Sequence, residues 1–252
     1  MGTIDGSDGA TGLLIVSGGN EIRIGAHRGM AALAADIAAA GYPVFRFDRR
    51  GIGDSTGANH GFESSADDIA AAVAAFRSAV PGLVGLVAFG NCDAASALAL
   101  HPVAGIDALV LANPWVIDES DSLPPAAAIR SRYAERLRDP RAWGRLLTGG
   151  VDFAKLARGL AKVSSVADAA PQGLAQRVAG ALLARSGAIT ILLARRDNTA
   201  VAFAQAWTSD AYAALRERVA LHECDTSSHS FHTAADKAWL RDRLLKALAD
   251  AR

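Results

Sequence analysis

Short, unbroken apolar runs alternate with longer stretches of helical spacing along the first half of the chain. Residues 13–16 (LLIV) read as a buried strand, and Gly18-Gly19-Asn20 as the loop after it. Residues 27–40 are rich in alanine and leucine at helical spacing, and Gly41 stands where a left-handed residue would end the helix. Residues 44–47 form a second strand that runs into the turn-rich Asp48-Arg49-Arg50-Gly51-Ile52-Gly53-Asp54-Ser55. Residues 65–79 make the next helix, stopped by Pro81-Gly82. A third strand over 83–89, a helix over 94–100 and a fourth strand over 108–111 continue the series. Strands apolar on both faces, each leading into a helix, predict a mostly parallel sheet covered on both sides, the α/β class.

The rhythm then changes. Residues 115–184 carry no clear strand, and the arginine-rich, leucine-punctuated stretch 129–147 reads as helix. Strand signals return at 189–193 and 219–223, and a helix over 234–249 follows. The expected organisation is one α/β core, residues 1–114 and 187–252, interrupted by a helical cap insertion over 115–186.

Composition narrows the partners. Lysine and arginine number 26 and aspartate and glutamate 26, so no net charge or basic stripe points to nucleic acid. Hydrophobic residues make up 51%, enough for a sizeable core. Two cysteines, Cys92 and Cys224, do not make a disulfide framework and suit a reducing compartment. Residues 1–10 lack the basic start and apolar run of a signal peptide, and no stretch reaches the ~18 apolar residues of a spanning helix. A soluble cytoplasmic protein acting on a small molecule is the expectation; oligomeric state stays open.

The chemistry gathers around Gly90-Asn91-Cys92-Asp93-Ala94, where a strand meets a helix at once. A sharp turn of this kind lifts one side chain above a sheet, and small residues flank it because the two backbones approach closely. Cysteine suits the raised position: its thiolate is the reactive form, favoured by a helix N-terminus and a histidine partner. The Asp93 amide would face a developing oxyanion, while its carboxylate suits the start of the helix. The plainer reading of Cys92 is a small buried residue in an ordinary turn. Cys224 ends a strand without such a turn, and a structural role is expected for it.

The other residues fall in the order nucleophile, acid, histidine. Asp197 follows the strand 189–193, and His229 follows the strand 219–223. His229 would take the thiol proton and later activate water, with Asp197 fixing its tautomer. Asp118 is the reserve acid and His232 the competing base, whereas His222 lies within a strand as a packing residue. The second oxyanion donor should be the Gly19 amide, with Asn20 next. A phosphate loop is a poor reading of Gly18-Gly19, because neither G-x-G-x-x-G nor a P-loop lysine follows. Asp48 and Asp54 are expected to brace a loop. His27 and Trp115 are the candidates for substrate contact, helix capping being the plainer role of His27-Arg28. Arg130, Arg132, Arg136 and Arg138 suit a solvated helix face. The histidines do not cluster at ligand spacing, so neither metal nor other cofactor is implied.

These segments resemble the α/β-hydrolase superfamily, whose D-x-R-G-x-G-x-S loop is matched from Asp48 to Ser55. The chain is more specifically similar to the exosortase A system-associated hydrolase type 1 group. Gly18-Gly19, Gly25-Ala26-His27-Arg28, Cys92-Asp93-Ala94-Ala95, Asn113-Pro114-Trp115-Val116 and the His229 loop carry that similarity. The resemblance implies a cysteine in the nucleophile's place, as in dienelactone hydrolases, and a setting among bacterial exopolysaccharide and protein-sorting genes. The leading expectation is a carboxylic-ester or thioester hydrolase working through an acyl-cysteine. An acyltransferase with the same three residues, and a non-catalytic binding module on the same fold, stand as alternatives.

Overall fold

The computed structural model describes residues 1–118 and 173–251. Among them are the strands β1 (Gly2–Asp5), β2 (Thr11–Val16), β3 (Val44–Phe47), β4 (Gly85–Asn91), β5 (Ala108–Ala112), β6 (Ala188–Ala194) and β7 (Ala220–Cys224). They form one sheet in the order β1-β3-β2-β4-β5-β6-β7. β1 pairs antiparallel with β3, and the other pairs run parallel. The helices are α1 (Gly29–Ala39), α2 (Ala66–Ala79), α3 (Asp93–Leu100), α4 (Leu174–Leu183), α5 (Asn198–Trp207) and α6 (Ala234–Asp250). This is the α/β-hydrolase fold.

Successive strand residues point to opposite faces, and the core is split accordingly. Leu14, Val16, Leu86, Ala88, Leu109, Leu111, Ile191 and Leu193 pack beneath α2, α3, α4 and α5. Leu13, Ile15, Val87, Phe89, Val110 and Leu192 pack beneath α1 and α6. Every residue of β2 and β5 is buried, so these strands read as continuous apolar runs.

β2 has β3 on one side and β4 on the other, so the chain reverses its direction of winding there. Parallel sheets bind ligands at the carboxyl ends of strands beside such a reversal. The loop after β2 and the turn after β4 therefore open at the same place.

Two local differences from the sequence expectation have clear causes. β1 is short and half-exposed, with no apolar run to announce it; Arg46 on β3 pairs with Asp5 at 2.8 Å across that edge. α1 begins at Gly29 rather than at residue 27, because His27 and Arg28 take left-handed φ values of 53° and 58°. Between Asp197 and β7 lie α5 and a 3₁₀ turn, Asp210–Leu215, as an interval with room for one helix and one strand allows.

Of the expected insertion, residues 119–172 lie outside the described residues, as do the helix expected over 129–147 and Arg130, Arg132, Arg136 and Arg138. Its two flanks meet: Asp118 Oδ1 accepts a hydrogen bond from the Leu174 amide at 2.9 Å, at the start of α4. No helix among the described residues is long and apolar enough to cross a membrane.

Candidate active site

β4 ends at Asn91 and α3 starts at Asp93, leaving Cys92 alone between them at φ 61° and ψ −126°. Few residues with side chains occupy that region, and the surrounding structure must hold it. The Cys92 amide donates to Ala112 O at 3.0 Å, and its carbonyl accepts from Ala95 and Trp115 at 3.1 and 3.2 Å. Gly90 allows the helix to come this close, since a Cβ there would lie 2.7 Å from the Ala94 carbonyl carbon. The thiol side chain is half-buried. Among the described residues the Asp93 and Ala94 amides have no hydrogen-bond partner, so the helix start above the sulfur is open to an anion.

His229 lies in the turn after β7, with Nδ1 2.9 Å from Asp197 Oδ2. An ionised carboxylate only accepts, so Nδ1 carries the proton, and Nε2 is the nitrogen left for a second partner. The same Asp197 oxygen accepts from the Thr199 and Ala200 amides at 3.0 and 3.2 Å, capping α5. Burial pushes the Asp197 carboxyl up, but the His229 hydrogen bond, its charge and the two amides outweigh it and hold the group below its ordinary value. The His229 imidazole is pushed up to about 10, first by its bond to Asp197 and then by one with Cys92, against burial. Asp197 and His229 thus form a hydrogen-bonded pair, with the Cys92 sulfur near enough to the ring to help raise it.

Solved structures share this architecture at low identity. An esterase from Pyrococcus furiosus superposes with a TM-score of 0.63 at 16% identity, covering 98% of this chain and 82% of its own. A lipase-esterase related protein from Clostridium acetobutylicum gives 0.61 at 13% identity, covering 98% of each chain. An α/β hydrolase from Sphaerobacter thermophilus gives 0.57 at 19%, covering 98% of this chain and 95% of its own. These likenesses show the fold. No curated protein sequence gives a significant match. The family profile Hydrolase_4, described as serine aminopeptidase, S33, matches residues 13–170. The chain belongs to this α/β-hydrolase family.

This Hydrolase_4 member carries cysteine at the raised position of its strand–helix turn, whereas the family is described by a serine. Its loop after β2 also differs from the sequence expectation in one respect. The Gly19 amide donates to Asp93 Oδ1 at 2.6 Å, so the donor expected for an oxyanion is engaged by a carboxylate. The Asn20 amide has no hydrogen-bond partner among the described residues. Arg49 completes the clamp: one terminal nitrogen donates to Gly19 O at 2.6 Å and lies 3.8 Å from Asp93 Oδ2, while the other donates to Ser65 Oγ at 3.0 Å. Gly18 is required beneath it, because a Cβ would lie 2.6 Å from Asn91 O.

The remaining candidates separate. Asp118 is spent on the Leu174 amide, and no bond to His229 is found for it. His232 Nδ1 pairs with Ser228 Oγ at 2.6 Å, away from Asp197. His27 is exposed and its ring lies 6.3 Å from that of His232, along a cleft also lined by Asp36, Phe231 and Lys237. Trp115 is partly buried against the core beneath α3, and Ser96 Oγ donates to its carbonyl at 2.5 Å. Asp48 is buried, accepting from the Arg23 and Asp54 amides at 2.6 and 3.1 Å and pairing with the Arg23 guanidinium. His222 lies on β7, and Cys224 at its end bonds Asp236 at 3.7 Å. Sequence reasoning passed over Arg49, Asn91 and Asn113, although each stood within a quoted motif; a polar side chain flanking a predicted turn was the available signal.

Proposed function

We propose that this protein hydrolyses carboxylic esters or thioesters of a small acyl substrate with Cys92 as nucleophile. The observation that carries this is the pairing of His229 Nδ1 with Asp197 Oδ2 at 2.9 Å, on loops that follow the same sheet as the raised Cys92, whose sulfur is near enough to help raise the imidazole. The Cys92 thiolate adds to the acyl carbon, and the carbonyl oxygen takes the negative charge towards the Asp93 amide, with the Asn20 amide as second donor. Collapse expels the alcohol or thiol, which leaves with the proton from His229 Nε2. Water then adds to the thioester while giving a proton back to Nε2, and the released thiolate reforms the ion pair.

Acylation itself prepares the second half. The Cys92 sulfur is one of the two partners that raise His229, and that influence is lost when the sulfur becomes a thioester. The imidazolium then gives up its proton more readily, so the ring stands neutral when water must be activated. His27 and Trp115 remain the proposed substrate contacts, and the insertion over 115–186 the determinant of substrate choice. Cys92-Asp93-Ala94-Ala95 and Asn113-Pro114-Trp115 support the finer placement beside the exosortase A system-associated type 1 hydrolases. Two unpaired cysteines suit work in the cytoplasm.

A panel of activated esters, thioesters and aminoacyl anilides tests the reading. Cys92→Ala should lower turnover by on the order of 10³-fold or more, and intact mass should show an acyl adduct on the wild-type protein alone. Full activity in the alanine variant would overturn it.

A further inference from the structure

The carbonyl of His229 receives two side-chain hydrogen bonds, from Asn91 Nδ2 at 3.1 Å and from Asn113 Nδ2 at 3.2 Å. Asn113 Nδ2 also donates to Asn91 Oδ1 at 3.0 Å, joining the two amides. Its Oδ1 accepts from the Ala194 amide at 2.8 Å, and its own amide donates to Leu192 O at 2.9 Å. The orientation of the Asn113 side chain is therefore fixed, because Ala194 needs an acceptor and His229 O needs a donor.

Asn113 is fully buried, at 0% exposure, and sits where β5 leaves the ladder with β6. Its φ is 43°, a left-handed conformation that asparagine tolerates better than most residues. Aspartate would tolerate the backbone but lacks the donor. Leucine would leave the Ala194 amide and His229 O without these bonds, each a costly buried group.

Two backbone groups, Ala194 N and His229 O, and one side chain, that of Asn91, meet this one side chain. Asn91 precedes Cys92. Ala194 O accepts from the Asp197 amide at 2.8 Å, so the Ala194 bond steadies the turn that carries the acid. His229 is held by its own carbonyl. We propose that Asn113, acting with Asn91, is a positioning residue that sets the His229 backbone so that its ring spans Asp197 and Cys92. This rests on reading His229 as the base of the site. The Asn113–Asn91 pair touches none of the reacting atoms and acts through the histidine.

The test is the imidazole N–H proton between His229 and Asp197, observed by NMR in the full-length protein and assigned by its loss in His229→Ala. In the wild type its chemical shift should change as the ring loses its Nε2 proton near pH 10. In Asn113→Ala it should broaden and titrate at lower pH, with kcat lowered about 10²-fold and KM little changed. Asn91→Asp, which removes one donor and leaves Asn113 in place, should do the same to a smaller degree and covers the case in which the first variant does not fold. If folded variants lose melting temperature but keep the wild-type resonance and pH midpoint, or if the wild type shows no such proton, the proposal is overturned. Failure of the nucleophile reading looks different: Cys92→Ala would keep full turnover while the resonance still responded to Asn113→Ala.

Discussion

The sign of the shift on His229 decides how its pairing with Asp197 depends on pH. A histidine raised to about 10 contributes its pairing fully below its ordinary value near 6.5, and the contribution is lost as pH rises through 10. Asp197, held below its ordinary value, contributes above that value and loses its effect as pH falls through the lowered one. Turnover should be flat across neutral pH and fall near pH 10, where the leaving group loses its acid; a pH–rate series on an activated ester reads this directly. Asp93 has a separate part, since its carboxylate holds the Gly19 amide and faces Arg49. Asp93→Ala should cost about 1.5–3 kcal/mol in a denaturant melt, the worth of bonds to a charged group, and an unchanged midpoint would show the clamp to be idle.

At the scale of the elements, the close approach of α3 to β4 is the feature most sensitive to added atoms. Gly90→Ala puts a methyl group 2.7–2.9 Å from the backbone of Ala94 and Ala95. Overpacking of this kind costs about 1–3 kcal/mol, and because relief requires moving α3, the Asp93 amide should move with it. Thermal melts and kcat should fall together, and a stable variant with wild-type kcat would show that the turn has slack. The same elements explain what was legible in the sequence. β2, β4 and β5 are buried on both faces and announce themselves by unbroken apolar residues. β1 alternates between exposed and half-exposed positions and gives no such signal. The places of Cys92, Asp197 and His229 at strand ends were legible because the strand before each is readable. The Gly19–Asp93 bond and the Asn113–His229 bond were not, since they join positions far apart in sequence whose meeting depends on strand order.

At the scale of the whole molecule, the residues of the site stand at one end of the sheet. Gly19, Cys92, Asn113, Asp197 and His229 follow β2, β4, β5, β6 and β7 respectively. The strands fix their spacing through a ladder that the site itself does not disturb, which lets strained conformations at Cys92 and Asn113 persist. One junction sets this arrangement apart from the stretch between β5 and β6. Asp118 and Leu174 are hydrogen-bonded to each other, so the two ends of that stretch meet at a single spot. A segment tethered in that way can lengthen, shorten or be exchanged at little entropic penalty to its host, because each doubling of a loop adds only about 0.6 kcal/mol. Heritable changes between those two anchors can therefore accumulate on a schedule of their own, leaving the machinery at the strand ends untouched.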